Sequence, residues 1–402
     1  MRQLKLQDLY QGFRNPQTIQ ALALQIQQKA TQLAQPLRIM EVCGGHTHTI
    51  MKYGLNQLLP DNIEFIHGPG CPVCIMPKER IDQAISLAQM DNTILLTLGD
   101  MIRVPGSKSN LARERAKGFD IRALYSPVDV LQIAQENPDK KVIFFAIGFE
   151  TTTPMTVAVI EKALALTLDN LYFHINHVLV PPAVDGILSD AQCQINALIG
   201  PSHVSVISGA KIYQPLVDLY QLPIVVSGFE PVDVMQSILM IIQQVIAQQT
   251  VGQKATVEIQ YSRAVTWEGN QKAQQLINDY LEPRSHFRWR GLGDIPLSGL
   301  QLKAEYSAID AEKVFADQLS NEPIDDHKLC ICGDILKGLS KPQDCKVFGR
   351  GCDPSRPLGS CMVSSEGACN AYYRYAEVSL PKSRKSSVEK SAKLAKSERV
   401  SV

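Results

Sequence analysis

The sequence lacks a charge of preferred sign: forty Lys and Arg balance forty Asp and Glu over 402 residues. The strong basic field expected of a nucleic-acid binder is therefore missing. Long apolar runs are missing too. The best, such as 94–98 and 142–147, have the length of a strand, whereas a membrane-spanning helix needs about 20 apolar residues. The opening Met1-Arg2-Gln3-Leu4-Lys5 runs on into polar sequence without a secretory apolar core. There is no Gly-x4-Gly-Lys-Ser/Thr phosphate loop and no convincing dinucleotide fingerprint. These absences argue against nucleotide-driven chemistry, membrane insertion and a nucleic-acid partner. They predict a cytoplasmic protein.

What is present is an ordinary globular composition, 45% hydrophobic and 20% charged. The length suits about two or three domains. Residues 1–36 read as helical. Short apolar segments at 37–42, 64–67, 94–98, 142–147, 171–175, 204–207 and 224–227 predict strands. Helical stretches at 78–88, 128–135, 155–168, 184–198 and 232–248 fall between them. This alternation predicts an α/β fold with mainly parallel sheet, its apolar strands buried on both faces. Gly148-Phe149-Glu150 and Gly228-Phe229-Glu230 each follow a strand, a faint echo of two related halves. The predicted boundaries are 1–122 and 123–250 for two α/β domains, 251–380 for a cysteine-bearing domain, and 381–402 for a tail. That tail has seven Lys/Arg against two Glu and no aromatic residue, the composition of a disordered segment.

Cysteine is the informative residue. Six of the ten fall between Cys330 and Cys369. A large chain in a reducing compartment has no need of a disulfide framework, so the cluster reads as metal ligands or redox thiols. The spacing is Cys330-x-Cys332, then Cys345, Cys352, Cys361 and Cys369. Structural zinc and a four-iron cluster each take four protein ligands, and either leaves two cysteines over. A dithiol beside an electron-carrying cluster makes chemical sense, and zinc carries no electrons.

Two further thiol motifs end predicted strands near the N-terminus. Cys43-Gly44-Gly45-His46-Thr47-His48 places one thiol and two imidazoles within a few residues. That pattern suits a soft-metal site or a nucleophile with its base. Cys71-Pro72-Val73-Cys74 lies between a strand and the helix predicted at 78–88. Such placement lowers a thiol's pKa and favours redox exchange, or transient metal handling. Glu150, Thr151–Thr153, Asn176, His177, His203, Lys211 and Glu230 are further polar candidates. His174 reads as a satisfied core residue, and Cys193 as a buried residue in mid-helix.

Together, Cys43-Gly44-Gly45-His46-Thr47-His48, Gly68-Pro69-Gly70-Cys71-Pro72-Val73-Cys74, Gly148-Phe149-Glu150-Thr151-Thr152 and the segment from Cys330 to Cys369 resemble the HypD family of hydrogenase formation proteins. The resemblance covers about residues 8–378. It implies two Rossmann-like α/β domains around a cleft, plus a C-terminal iron–sulfur domain similar to the cluster region of ferredoxin:thioredoxin reductase. It implies a scaffold that works with the small chaperone HypC to assemble the Fe(CN)2CO unit of nickel–iron hydrogenase. HypE would supply cyanide, and the hydrogenase large-subunit precursor would receive the product. Carried over by position, Cys43 would hold the transient Fe(II) with its cyanide and carbonyl ligands. Cys71 and Cys74 would be a redox pair. Cys330, Cys345, Cys352 and Cys369 would ligate a [4Fe-4S] cluster, with Cys332 and Cys361 as the adjacent dithiol. His46, His48 and Glu366 would protonate intermediates or orient iron ligands. The alternatives are a cluster-fed thiol–disulfide oxidoreductase and a zinc-stabilised binding protein.

Overall fold

Val142–Ile147 is a run of six buried apolar residues, and such a run is stable only where both faces of a strand are covered. The computed structural model, which describes residues 11–379, places it inside a parallel sheet. The main strands are β1 Leu37–Glu41, β2 Ile63–His67, β3 Thr93–Leu98, β4 Ile121–Leu124, β5 Lys141–Gly148, β6 Leu171–His177, β7 Ala197–Pro201, β8 Ile224–Ser227 and β9 Val257–Ile259. They form two sheets, ordered β2-β1-β7-β8-β9 and β4-β3-β5-β6. Every pairing within these two sheets is parallel.

Both sheets reverse their winding direction beside their first strand, at β1/β7 and at β3/β5. In open parallel sheets the crevice at the C-terminal ends of such strands is where ligands bind. Cys43 follows β1, and Glu150 follows β5. The sheets are joined by a continuous apolar cluster that includes Val42 and Ile66 on one side and Ile143, Phe145 and Ile147 on the other.

The chain leaves the first sheet after β2, builds the whole second sheet, and returns at β7. A domain boundary at 122/123 therefore falls inside β4, and one α/β unit is inserted into the other. Sequence order does not reveal an insertion, because each unit shows the same strand–helix rhythm. The echo of Gly-Phe-Glu also does not mark equivalent strands: β5 neighbours the first strand of its sheet, whereas β8 neighbours β7 and β9.

Two sequence expectations are corrected. The segment 204–207 is not a strand but part of the helix Ser202–Ser208. The expected helix 184–198 is a helix at Val180–Leu188 followed by a turn and then β7. Short apolar runs do not distinguish a strand from a buried helix turn. Gly200-Pro201 looks like a breaker but closes β7. Cys193 consequently sits in the turn before β7 and not in a helix.

The C-terminal third is tied to the second sheet by a buried ion network. Glu312 pairs with Arg80 and, at 2.8 Å, with Arg284. Against the opposing effect of burial, these two guanidiniums hold its carboxyl well below the usual range. Two antiparallel strand pairs, Leu281–Pro283 with Leu300–Leu302 and His286–Trp289 with Gly293–Pro296, precede the cysteine-rich segment. That segment holds only short helices until Ala368–Ser379. Among the described residues no helix is long and apolar enough to cross a membrane. The basic tail 381–402 lies outside the described residues.

Candidate functional site

The ends of β1 and β2 are joined backbone to backbone. Gly68 N–H donates to the Glu41 carbonyl at 2.8 Å, and Gly44 N–H donates to the Gly70 carbonyl at 2.9 Å. A Cβ on Gly70 would stand 2.5 Å from Cys43 backbone atoms, so only glycine lets the two loops meet. The Cys43 motif and the Cys71/Cys74 motif are thus one site.

Glu41 organises it. This carboxylate is fully buried, which is costly unless its oxygens are satisfied. It accepts from Cys43 N–H at 3.0 Å, from the Thr47 hydroxyl, and from His67 Nδ1 at 2.6 Å. Sequence reasoning passed over Glu41, Thr47 and His67. The available signal was a glutamate closing an apolar strand two residues before a cysteine.

Cys43 is the N-cap of the helix Gly44–Lys52, so a helix starts where the sequence suggested only a glycine turn. Burial pushes its thiol up, and Glu366 and Glu41 push the same way. The backbone N–H groups of Gly45 and His46 oppose them. A Cβ on Gly44 would collide with the Glu366 side chain at 2.2 Å, which places Glu366 against the start of this helix. Desolvation and the nearby Asp100 raise the Glu366 carboxyl.

The two imidazoles are not brought together. Residues two apart on a helix do not share a face. His46 is fully buried, tilted against Phe229 with ring centroids 4.6 Å apart. Its Nε2 lies 3.0 Å from the Gly228 carbonyl and 3.3 Å from that of Ser227. Carbonyls only accept, so Nε2 carries the proton and Nδ1 keeps its lone pair, which has no partner. Burial lowers the His46 pKa and keeps the ring neutral. His48 points elsewhere, edge-on to Tyr375 at 5.4 Å, its pKa lowered by desolvation and by Lys52 and Arg374.

Cys71 and Cys74 are both buried. Beyond them the cysteine-rich segment completes a line of thiols. Cys332 Sγ and Cys361 Sγ are 2.8 Å apart. The Ser360 hydroxyl donates to the Cys74 carbonyl. Burial raises the Cys74 thiol, helped by its hydrogen bonds with Cys361 and Cys71. Cys361 is lowered, chiefly by its hydrogen bonds with Cys332 and then Cys74. A sulfur that hydrogen-bonds a thiol on each side is the place in this line where a thiolate is most favoured.

The remaining cysteines of the segment are neighbours of one another. Burial raises Cys369, and then Cys332, Cys330, Cys352 and Cys345 add to that rise. Burial likewise raises Cys352, with Cys330 and Cys345 contributing. Leu358 N–H donates to Cys352 Sγ at 3.3 Å. Among the described residues no three His, Cys, Asp or Glu side chains converge on a position for one metal ion. A four-iron cluster takes four thiolates, each on its own iron, so it needs sulfurs around a volume and not at a point. In number and donor chemistry, Cys330, Cys345, Cys352 and Cys369 fit such a group.

The other polar candidates divide. Glu150 is buried, with Oε1 accepting from Val180 N–H at 2.9 Å and Oε2 unpartnered. Desolvation pushes its pKa up to about 7. The buried Tyr213 phenol is raised chiefly by burial, with the charges of Glu150 and Cys43 adding to the rise. His177 is satisfied inside the core by Thr153 at 3.1 Å and Thr156 at 2.9 Å, and burial lowers its pKa to about 3. His174 is likewise a core residue, bonded to Gln83 and Asn176. His203 also packs on Phe229, with ring centroids 4.3 Å apart. Lys211 pairs with Glu268, and Glu230 with Arg14.

The sequence comparisons show the family. The family described as "HypD: Hydrogenase formation hypA family" matches residues 17–376. Hydrogenase maturation factor HypD of Azotobacter vinelandii is 48% identical over 369 residues, 90% of this chain and 95% of that protein. Hydrogenase maturation factor HypD2 of Bradyrhizobium diazoefficiens is 47% identical over 370 residues, 90% of this chain and 95% of the other. HypD of Escherichia coli is 43% identical over 369 residues, 91% and 97% of the two chains.

Proposed function

The chain belongs to the HypD family of hydrogenase maturation factors, and from that premise we propose that it is the iron-handling scaffold on which the Fe(CN)2CO unit of nickel–iron hydrogenase is built. The observation that carries this reading is the line of thiols from Cys71/Cys74 to the pair Cys361 and Cys332, whose sulfurs are 2.8 Å apart, with the Ser360 hydroxyl tying Cys361's turn to the Cys74 carbonyl. At one end, Gly44 N–H, next to Cys43, donates to the carbonyl of Gly70, next to Cys71. The other end joins the four cysteines suited to a cluster.

In this reading Cys43 holds the iron substrate. Cyanide and carbonyl stabilise low-spin Fe(II), for which a soft thiolate is a fitting ligand. The helix N-terminus favours the Cys43 thiolate, and iron supplies the compensation that burial otherwise denies it. Neutral His46 offers its Nδ1 lone pair as an acceptor beside the site, while Glu41 fixes the loop. Cys330, Cys345, Cys352 and Cys369 would hold a [4Fe-4S] cluster, which supplies electrons one at a time. Cys332 and Cys361 exchange with Cys74, whose pair Cys71/Cys74 reaches the iron. A HypC-type chaperone would share the iron, a HypE-type protein would deliver cyanide, and the large-subunit precursor would take the finished unit.

The test is anaerobic purification with the HypC-type partner, followed by iron and acid-labile sulfide analysis and infrared spectroscopy. Cyanide and carbonyl bands are expected. Cys43→Ala should lose those bands and keep the visible absorption of the cluster. Bands that persist in Cys43→Ala overturn the assignment of the iron to Cys43. The close approach of Cys332 and Cys361 also favours a second reading, a cluster-fed thiol–disulfide oxidoreductase. Turnover of a protein disulfide by preparations without those bands would select it.

A further inference from the structure

An open groove of about 520 Å3 runs between the 103–113 segment and the 351–358 loop. Lys78, Arg103, Lys108, Arg113, His327 and Arg356 line it, and no acidic residue does. In a chain of zero formal charge this is a local concentration of cations, not a consequence of composition. Two of them are answered nearby: Arg103 pairs with Asp100 at 2.6 Å, and Lys78 lies 3.9 Å from Asp326. Lys108 and Arg113 are exposed and make no ion pair among the described residues. Exposed Arg356 has, among the described residues, Asp353 of its own turn beside it.

The groove is also next to the thiols. Its 351–358 wall carries Cys352, whose sulfur accepts from the Leu358 backbone at 3.3 Å. A protein seated against this wall is separated from a sulfur of the four-cysteine set by one short loop. Reducing a Cys332–Cys361 disulfide consumes electrons that must enter the chain from outside.

We propose that this groove docks an acidic one-electron carrier protein, of the iron–sulfur or flavin class, which supplies the electrons used by the cysteine-rich centre. The inference rests on the reading of that centre as redox-active. Two carriers each lose one electron. The Cys332–Cys361 S–S bond breaks, taking up two electrons and two solvent protons, and two thiols result. Carboxylates on the carrier match the unpaired cations, and complementary charge raises encounter rates by about 10- to 1,000-fold at low salt. A nucleic acid fits less well, because backbone tracking needs a longer cationic path than one groove.

The test uses the full chain, purified anaerobically, and a chemically reduced plant-type [2Fe-2S] ferredoxin as the acidic probe. Binding is followed by interferometry, and reduction by stopped-flow absorbance, between about 20 and about 300 mM salt. For the native chain, affinity and rate should fall steeply with salt. The triple reversal Lys108→Glu, Arg113→Glu, Arg356→Glu should weaken binding and slow reduction by roughly tenfold or more, with a flattened salt dependence. Reduction by dithionite should not change. The milder Lys108→Gln, Arg113→Gln, Arg356→Gln variant should show a smaller loss of the same kind, which guards against misfolding of the reversal. A distant reversal of equal charge, Lys162→Glu with Lys272→Glu and Lys303→Glu, should keep the native rate. Native behaviour in both groove variants overturns the proposal. So does an equal loss in the distant variant, or a groove that binds inorganic phosphate or single-stranded RNA but not the carrier. A preparation without iron and sulfide that still binds the carrier at the groove upholds the docking surface and overturns the proposed cluster instead.

Discussion

His67 Nδ1 lies 2.6 Å from Glu41 Oε1, and this one contact clamps the C-terminal ends of the two strands that deliver every N-terminal thiol of the site. His67 ends β2, and Glu41 ends β1, in register with it. Cys43 follows the glutamate by two residues and Cys71 follows the histidine by four. His67 is itself held edge-on by Tyr372 at 5.5 Å, from the helix that carries Cys369. The clamp therefore also reaches the cysteine-rich segment.

Glu41→Gln should weaken this clamp without changing its size. The amide cannot accept on both former oxygens, so one of Cys43 N–H, Thr47 or His67 is left poorly paired. A loss of about 1–3 kcal/mol of stability is expected, measured by urea unfolding of the anaerobic protein. A change within error would show that Glu41 does not organise the loop.

Gly70→Ala should be more damaging than an alanine usually is in a loop. Its Cβ meets Cys43 backbone at 2.5 Å, and backbone does not move aside as a flexible side chain does. About 1–3 kcal/mol of strain is expected, with loss of retained iron. A lower melting temperature together with an unchanged iron content would separate the fold from the site.

Oxidation should form a disulfide between Cys332 and Cys361 in the native chain. In Cys332→Ser the neighbour of Cys361 on its other side becomes the partner, and a Cys74–Cys361 bridge is expected. Peptide mapping under non-reducing conditions reads both. Detection of neither bridge would deny that the thiols form a line.

Glu150 should give stability a pH dependence of its own. Desolvation raises its folded pKa from 4.5 to about 7, so the folded state binds more protons than the unfolded state between these values. Its contribution is then fully present below about pH 4.5 and lost as pH rises through about 7. The neutral isostere Glu150→Gln lacks this loss. The difference in stability between native and Glu150→Gln proteins should move by on the order of 2–3 kcal/mol in favour of the variant from pH 5 to pH 8. A difference that stays flat across this range would place the carboxyl in contact with water.

The neutral state of His46 is testable directly. Nitrogen-15 shifts should report the Nε2–H tautomer and a titration, if any is seen, below that of an exposed imidazole, since burial lowers its pKa. A titration near pH 6.5, where an exposed imidazole titrates, would remove His46 as an acceptor beside Cys43.

Strands with long apolar runs were legible from sequence alone. β1, β3, β5 and β8 lie where periodicity put them, and the helix Lys78–Ala88 has the predicted bounds. Buried parallel strands need continuous apolar residues whatever surrounds them. β7 was not legible, because Ala197–Pro201 ends in residues that usually break structure. Nor was β4, a four-residue edge strand at Ile121–Leu124 with one buried residue.

The sequence by itself determined the chemistry: which residues carry sulfur, how many of them a four-ligand centre leaves over, and that glycines and strand ends present them. Those are local properties of residue type and spacing. Tertiary structure alone decided who meets whom. It inserted one sheet into the other, set Glu41 against His67, turned His48 away from His46, and placed Cys361 between Cys74 and Cys332. These contacts join residues up to nearly three hundred positions apart, and they follow from how two sheets and a cysteine-rich segment bury their shared apolar surface, which no spacing along the chain encodes.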